Sequence, residues 1–188
     1  MGRWEPDARG RLVQSALELY SEQGFEQTTA AEIAERAGVT ERTFFRHFAD
    51  KREVLFQSSR ILQDLVVDSI AAAPASLSLV DVATGAMESA ASVLEGNRPH
   101  SVRRAVVIAA NASLQERELL KMHTLGVAVA EALRQRGAAP MPSALAAEVA
   151  VTAFKLGFES WISDEHPGTF AECIHEATTQ LRALTAEA

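Results

Sequence analysis

The sequence predicts an all-α protein of about nine helices, and three observations carry that expectation. The 188 residues include 34 alanines against 10 glycines and 6 prolines, a balance that favours helix over a turn-rich sheet. Four capping-box pairs precede or open apolar stretches: Thr29 with Glu32, Asp50 with Glu53, Ser113 with Glu116, and Thr169 with Glu172. No segment reads as a strand.

The elements follow in order, each bounded by a start or stop signal. A helix is expected over 7–23, where Leu12, Ala16, Leu19 and Tyr20 recur at helical spacing and Gly24 ends the pattern. Two short helices, 30–37 and 41–47, are opened by Thr29 and Thr40 and separated by Gly38. A long helix over 51–72 carries Leu55, Leu62, Leu65 and Val66, with Pro74 in the connection after it. Helices over 79–95, 100–112 and 114–136 fall between Gly96, Pro99 and Gly137. The last two, over 144–164 and 169–185, are set off by Pro140, Pro142 and Pro167. Met87, Leu94, Val106, Val107, Leu119, Met122 and Val129 are expected in a buried bundle. The chain divides into a head, 1–50, and a body, 51–188.

Charge and cysteine content narrow the compartment and the partners. Net charge is −7, but residues 1–60 hold nine basic against ten acidic groups, while 61–188 hold nine against fifteen. The acid excess therefore lies in the body, and the head is free to present a local basic face. A single cysteine, Cys173, excludes an internal disulfide framework and a cysteine-based zinc site and suits a reducing, cytoplasmic setting. No apolar run is expected to reach the roughly 18 residues of a membrane span, and the charged start Met1-Gly2-Arg3-Trp4-Glu5 is not followed by an apolar signal segment.

Residues 29–48 have helix-turn-helix spacing, with a tight turn at Gly38-Val39. At about 100° per residue, with Phe44 at zero, Phe48 falls near 40°, whereas Arg42 and Arg46 fall near 160° and 200°. Thr43 and Phe45 flank the arginines. The inner face is aromatic and the outer face combines cations, a small hydroxyl and a ring. Such a helix can enter the roughly 12 Å major groove, where Arg pairs with guanine and Thr meets a thymine methyl or a phosphate. Thr29, Thr40, His47 and Lys51 are placed to approach phosphates. Two short amphipathic helices with solvated arginines also occur in helical proteins that bind no DNA. Arg3, Trp4, Arg9 and Arg11 form a basic arm that either touches the duplex or stays solvated.

Three stretches in order, Gly24-Phe25-Glu26-Gln27-Thr28-Thr29, Ile33 through Thr40, and Thr43-Phe44-Phe45-Arg46-His47-Phe48-Ala49-Asp50-Lys51, together resemble the tetracycline-repressor (TetR) family over about residues 9–56. The resemblance implies a homodimeric transcriptional regulator, usually a repressor, with a DNA-binding head and a helical ligand-binding body. It also implies base reading by Glu41, Arg42 and Thr43, and backbone contacts by Thr29, Thr40, Phe45, His47 and Lys51. The family often has Tyr where this chain has Phe45, which removes a hydroxyl contact to phosphate.

In the body the long helix after the head is expected to be the covalent route for any signal. Met87, Met122, Phe154, Phe158 and Trp161, with Asn111, His123 and Glu159 for polarity, either line a small-molecule cavity or fill core. Ala146, Ala150, Ala153 and Gly157 make a smooth ridge, with Ile174, Ala177, Leu181 and Leu184 as an apolar stripe opposite. These serve either a four-helix dimer interface, as the resemblance implies, or a hairpin within one chain.

Catalytic signals are weak. Asp164-Glu165-His166 reads as an exposed turn, and Cys173 and His175 lie about 200° apart on a helix. No phosphate loop, dinucleotide fingerprint or metal-binding helix motif appears, so no enzyme activity, metal or cofactor is expected. The expected partners are operator DNA, a second copy of the chain and a small-molecule effector, with no membrane. A helical ligand-binding protein or enzyme whose head no longer binds DNA is the alternative.

Overall fold

A computed structural model describes residues 7–163 and 168–186. Among the described residues there are nine α-helices and no strand: α1 (Ala8–Gln23), α2 (Ala30–Arg36), α3 (Glu41–His47), α4 (Ser59–Ala72), α5 (Leu79–Glu95), α6 (Arg98–Ala109), α7 (Ala112–Gln135), α8 (Pro140–Ile162) and α9 (Phe170–Ala186). The all-α expectation holds. Arg3 and Trp4 of the expected arm, and Asp164-Glu165-His166, lie outside the described residues.

The expected helix over 51–72 is split. A 3-10 turn, Glu53–Phe56, comes first and α4 begins only at Ser59. The Asp50 carboxylate caps the turn by accepting from the backbone N–H of Arg52 at 2.8 Å and of Glu53 at 3.1 Å. The Leu55 carbonyl accepts from Arg104 Nε at 2.7 Å, which draws it toward a side chain and away from helical pairing. Two of the four expected capping boxes form. Thr29 and Glu32 bond reciprocally, and so do Thr169 and Glu172. Ser113 and Glu116 sit inside the first turns of α7, because the Asn111 carbonyl already accepts from Leu114 and Gln115. Pro140 occupies the first turn of α8, where its missing N–H costs nothing.

The chain forms two compact units. The head comprises residues up to Gln57 together with Val102–Glu118, and the body comprises Ser58–Ser101 and residues from Leu119 onward. The head therefore does not end near residue 50. It takes in the end of α6 and the start of α7, whose Val107, Ile108 and Leu114 join Leu12, Leu17, Ile33, Phe44 and Val54 in one apolar core. The backbone passes between the units after residues 57, 101 and 118, so the segment leading into α4 is not the sole covalent route.

The body core gathers Val66 and Ile70 of α4, Met87 of α5, Val129 and Leu133 of α7, Phe154 of α8, and Phe170 and Ile174 of α9. Ala146, Ala150, Ala153 and Gly157 are all buried within it. A Cβ on Gly157 would lie 2.8 Å from the Ile174 backbone nitrogen, so the smooth ridge serves the close approach of α9 in the same chain. This corrects the interface reading of Ala146, Ala150, Gly157 and Ile174, whose surfaces are used within one body, whereas Ala153 also borders a groove on the outer side of α8 and α9. Val106 and Leu119, expected in core, are 65% and 66% exposed.

By length and composition α8 is apolar enough to cross a membrane, contrary to expectation. Arginines close several helix ends by donating to free terminal carbonyls: Arg98 to Trp161 at 2.9 Å and Ser163 at 2.7 Å, and Arg136 to Ile70 at 2.9 Å.

Candidate nucleic-acid interface

The site is built on α2, the turn after it and α3. At the start of α2 the Thr29 N–H donates to Glu32 Oε2 at 2.8 Å, and the Glu32 N–H donates back to Thr29 Oγ1 at 3.2 Å. These bonds hold the Glu32 carboxyl below its usual range, chiefly through the Thr29 backbone. Ile33 and Ala34 bury their side chains, and Gly38 reverses the chain at φ 68, a conformation that favours glycine. Thr40 then caps α3, its Oγ1 accepting from the Thr43 N–H at 3.2 Å and lying 3.0 Å from the Thr43 hydroxyl.

On α3 the two faces separate as the spacing predicts. Phe44 and Phe48 are buried and pack together with ring centroids 5.7 Å apart. Glu41, Arg42 and Arg46 are exposed, and Phe45 is 53% exposed, edge-on to Phe44. Among the described residues neither the Arg42 nor the Arg46 guanidinium has a hydrogen-bond or ion-pair partner within the chain. Arg36, by contrast, pairs with Glu22 at 2.7 Å. His47 is half-buried, with its Nε2 turned inward and without a hydrogen-bond partner.

Lys51 is placed differently from the other expected contacts. Its ammonium donates to the carbonyls of Phe25 at 2.8 Å, Thr28 at 2.9 Å and Glu26 at 3.2 Å, and lies 4.4 Å from the centre of the Phe25 ring. Beside it, Tyr20 donates its hydroxyl to the Lys51 carbonyl at 2.6 Å, and burial pushes that phenol well above its usual range. Arg9 and Arg11, expected in a free arm, belong to α1. Arg9 stacks over Phe48 at 5.3 Å and Arg11 donates to the Ala37 carbonyl at 3.0 Å.

Sequence reasoning missed a pair of arginines from the Val102–Glu118 segment. Arg104 donates to the Leu55 carbonyl, pairs with Glu118 at 3.0 Å and lies 5.1 Å from the centre of the Phe56 ring. Arg117 Nε donates to Glu53 Oε1 at 2.6 Å. Nothing in residues 98–118 marks these as head residues, because Leu55 and Glu53, to which they donate, lie 49 and 64 positions away.

The expected ligand residues do not form one cluster. Phe154, Phe158 and Trp161 do meet, around Phe170: Trp161 stacks on it at 5.2 Å, and Phe154 and Phe158 approach edge-on at 5.0 and 5.6 Å. Met87 is fully buried core, Met122 is half-buried, and His123 and Glu159 are exposed. Asn111 belongs to the head, where its side chain donates to Val107. Cys173 is buried and its thiol is pushed up by that burial, while His175 is exposed and bonds Glu88 at 3.1 Å.

On the outer side of α8 and α9 lies an apolar groove of about 350 Å³, lined among others by Val149, Thr152, Leu156, Ala177, Leu181 and Leu184. Ala177 and Leu181 thus reach the surface, unlike Ile174.

Comparison with known proteins bears on the head first. The family model for bacterial regulatory proteins of the tetR family matches residues 12–57. The HTH-type transcriptional regulator TcmR of Streptomyces glaucescens is 38% identical over 78 residues, which cover 42% of this chain and 34% of that protein. The chain thus spans about a third of the length of that relative. Two solved structures align over nearly the whole chain and share its all-α fold. Thermus thermophilus FadR, a TetR-family transcriptional repressor in complex with lauroyl-CoA, is 25% identical with a TM-score of 0.50, covering 93% of each chain. The fatty acid degradation regulator FadR of Bacillus halodurans is 12% identical with a TM-score of 0.56, covering 95% of this chain and 96% of the other.

Proposed function

We propose that the chain, whose head matches the tetR-family model over residues 12–57, is a ligand-responsive transcriptional regulator of that family, a homodimeric repressor that acts in the cytoplasm. The observation that carries this reading is α3. One face is locked into the head by Phe44 and Phe48, and the opposite face offers Arg42 and Arg46 with no partner in the chain. Two unpaired, solvated guanidiniums on a rigid helix suit base edges, whose acceptors they can meet in pairs, and phosphates, whose charge they offset. Thr43 and Phe45 border them, and Thr29, Thr40 and His47 are the further candidate backbone contacts.

Pairing of two copies is assigned to the outer face of α8 and α9, not to the alanine ridge. Leu145, Leu156 and Leu184 are 61%, 51% and 74% exposed there, beside the groove. A two-fold axis through this face gives an isologous interface and presents two heads to a palindromic operator. The apolar, aromatic body supports an apolar small molecule as effector. The lauroyl-CoA held by the Thermus thermophilus repressor carries an apolar acyl chain of that kind on a charged carrier. An effector that binds better to the body when the heads are wrongly spaced lowers operator affinity by its differential binding energy, and DNA weakens effector binding reciprocally.

The test is recovery of fragmented genomic DNA by the purified dimer, followed by titration of the recovered fragment against salt. A palindromic site with steep salt dependence is expected. No enriched fragment from folded, dimeric protein refutes the regulator reading.

A further inference from the structure

We propose that Lys51 serves DNA binding as a positioning residue and not as a phosphate ligand: its ammonium fixes the α1–α2 loop to the segment that follows α3. The inference rests on reading α3 as the DNA-contacting helix. An ammonium has three N–H donors. Here all three go to carbonyls of one loop, those of Phe25, Glu26 and Thr28, and the Phe25 ring faces the cation. A phosphate contact would have to displace one of these bonds and leave a loop carbonyl unpaired.

The loop it holds leads directly into α2. Gly24 turns the chain at φ 90, the Thr28 hydroxyl donates to the Gly24 carbonyl at 2.8 Å, and the next residue, Thr29, caps α2. Lys51 itself lies four residues beyond His47, the last residue of α3. Its backbone is fixed in turn by the Tyr20 hydroxyl. The start of α2 and the end of α3 are thus tied, while the Gly38 turn joins the other two ends of these helices covalently. Loss of the tie loosens the angle at which α2 and α3 meet a duplex, while every solvated cation on the outer face of α3 stays in place.

The experiment compares full-length wild type, Lys51→Met and Lys51→Arg on the recovered operator across a salt series by fluorescence anisotropy. The positioning role predicts that Lys51→Met weakens specific binding about tenfold or more at fixed salt and leaves the slope of log K against log salt unchanged, because no phosphate contact is lost. Lys51→Arg is expected to fail similarly, since a planar guanidinium cannot direct three donors at three converging carbonyls, whereas a phosphate ligand tolerates the exchange. A slope shallower by about 0.9 in Lys51→Met, with affinity restored in Lys51→Arg, overturns the proposal.

Hydrogen exchange keeps this test separate from the regulator reading. If wild type binds no operator, that reading fails, and faster amide exchange over residues 25–29 in Lys51→Met then supports the tie while unchanged exchange overturns it. Should Lys51→Met not fold, Phe25→Leu removes the ring from the cation and is expected to give the same pattern, weaker binding at an unchanged slope; a shallower slope overturns the proposal there too.

Discussion

Replacing Gly157 by alanine tests what the small-residue ridge of α8 is for. A Cβ built there meets the Ile174 nitrogen at 2.8 Å and its Cα and Cγ1 at 2.9 Å, so α9 backbone itself is the obstacle. Restoring ordinary contact of about 3.5 Å requires the helices to part by more than half an ångström where Ile174 is fully buried. Overpacking of this kind costs about 1–3 kcal/mol, and a backbone obstacle puts it at the upper end. Alanine regains about 1 kcal/mol of helix propensity, leaving a net loss of about 1–2 kcal/mol. The control is Gly85→Ala in α5, whose added Cβ meets nothing within 4 Å and which should gain up to about 1 kcal/mol. Urea and thermal unfolding at one protein concentration read both, with about 2–4 °C expected per kcal/mol. If Gly157→Ala matches Gly85→Ala in stability and instead weakens self-association, the ridge faces a second copy and the intramolecular assignment is wrong.

Arg42→Ala should cost about 1–3 kcal/mol of operator affinity and relax specificity at one base pair, read by binding to a panel of single-site operator variants; an unchanged panel refutes the base-reading assignment. Arg104→Met removes a charged donor from the Leu55 carbonyl and a cation from the Phe56 ring, and should destabilise the head by about 2 kcal/mol with faster amide exchange over residues 53–58, whereas exchange equal to wild type there refutes it. Glu32 and Asp50 both have folded values below their ordinary 4.5 and 3.8. Glu32 is held down first by the Thr29 backbone, whereas for Asp50 burial pushes upward and is outweighed by bonds from Arg52 and Glu53. Their contributions are therefore complete above those ordinary values and are lost as pH falls through the depressed ones, so the head should lose stability in acid. NMR titration checks this, and a Glu32 carboxyl titrating at or above 4.5 contradicts it.

What the sequence made legible is local. The caps at Thr29, Thr40 and Thr169 and the opposed faces of α3 follow from spacings of three and four residues, which helix geometry alone converts into direction. The break before α4 was hidden because no glycine or proline marks residues 52–59; it accompanies a carbonyl bond to Arg104, far along the chain. The ridge through Ala150 and Gly157 was visible, but spacing cannot say whether the helix lying on it is the chain's own. Lys51 was singled out, yet its loop cage depends on where three carbonyls converge, and backbone direction leaves no trace in residue type. The ligand residues failed to assemble for a related reason: Asn111 looked like body by position and belongs to the head by contact.

The contribution of Val102–Glu118 to the head has a consequence for how the protein comes into being. A nascent chain that has emerged only to Gln57 holds all three helices of the reading unit but lacks Val107, Ile108 and Leu114, so Phe44 and Val54 have an unfinished core around them. Forty-four residues of body, Ser58–Ser101, must leave the ribosome before those partners arrive. At a synthesis rate of about 5–20 residues per second that is a wait of several seconds, during which the head is still incomplete. If the head reads DNA as proposed, that capacity matures only after part of the body has been made, and a gene fragment encoding the first 57 residues alone should yield a loosely ordered peptide.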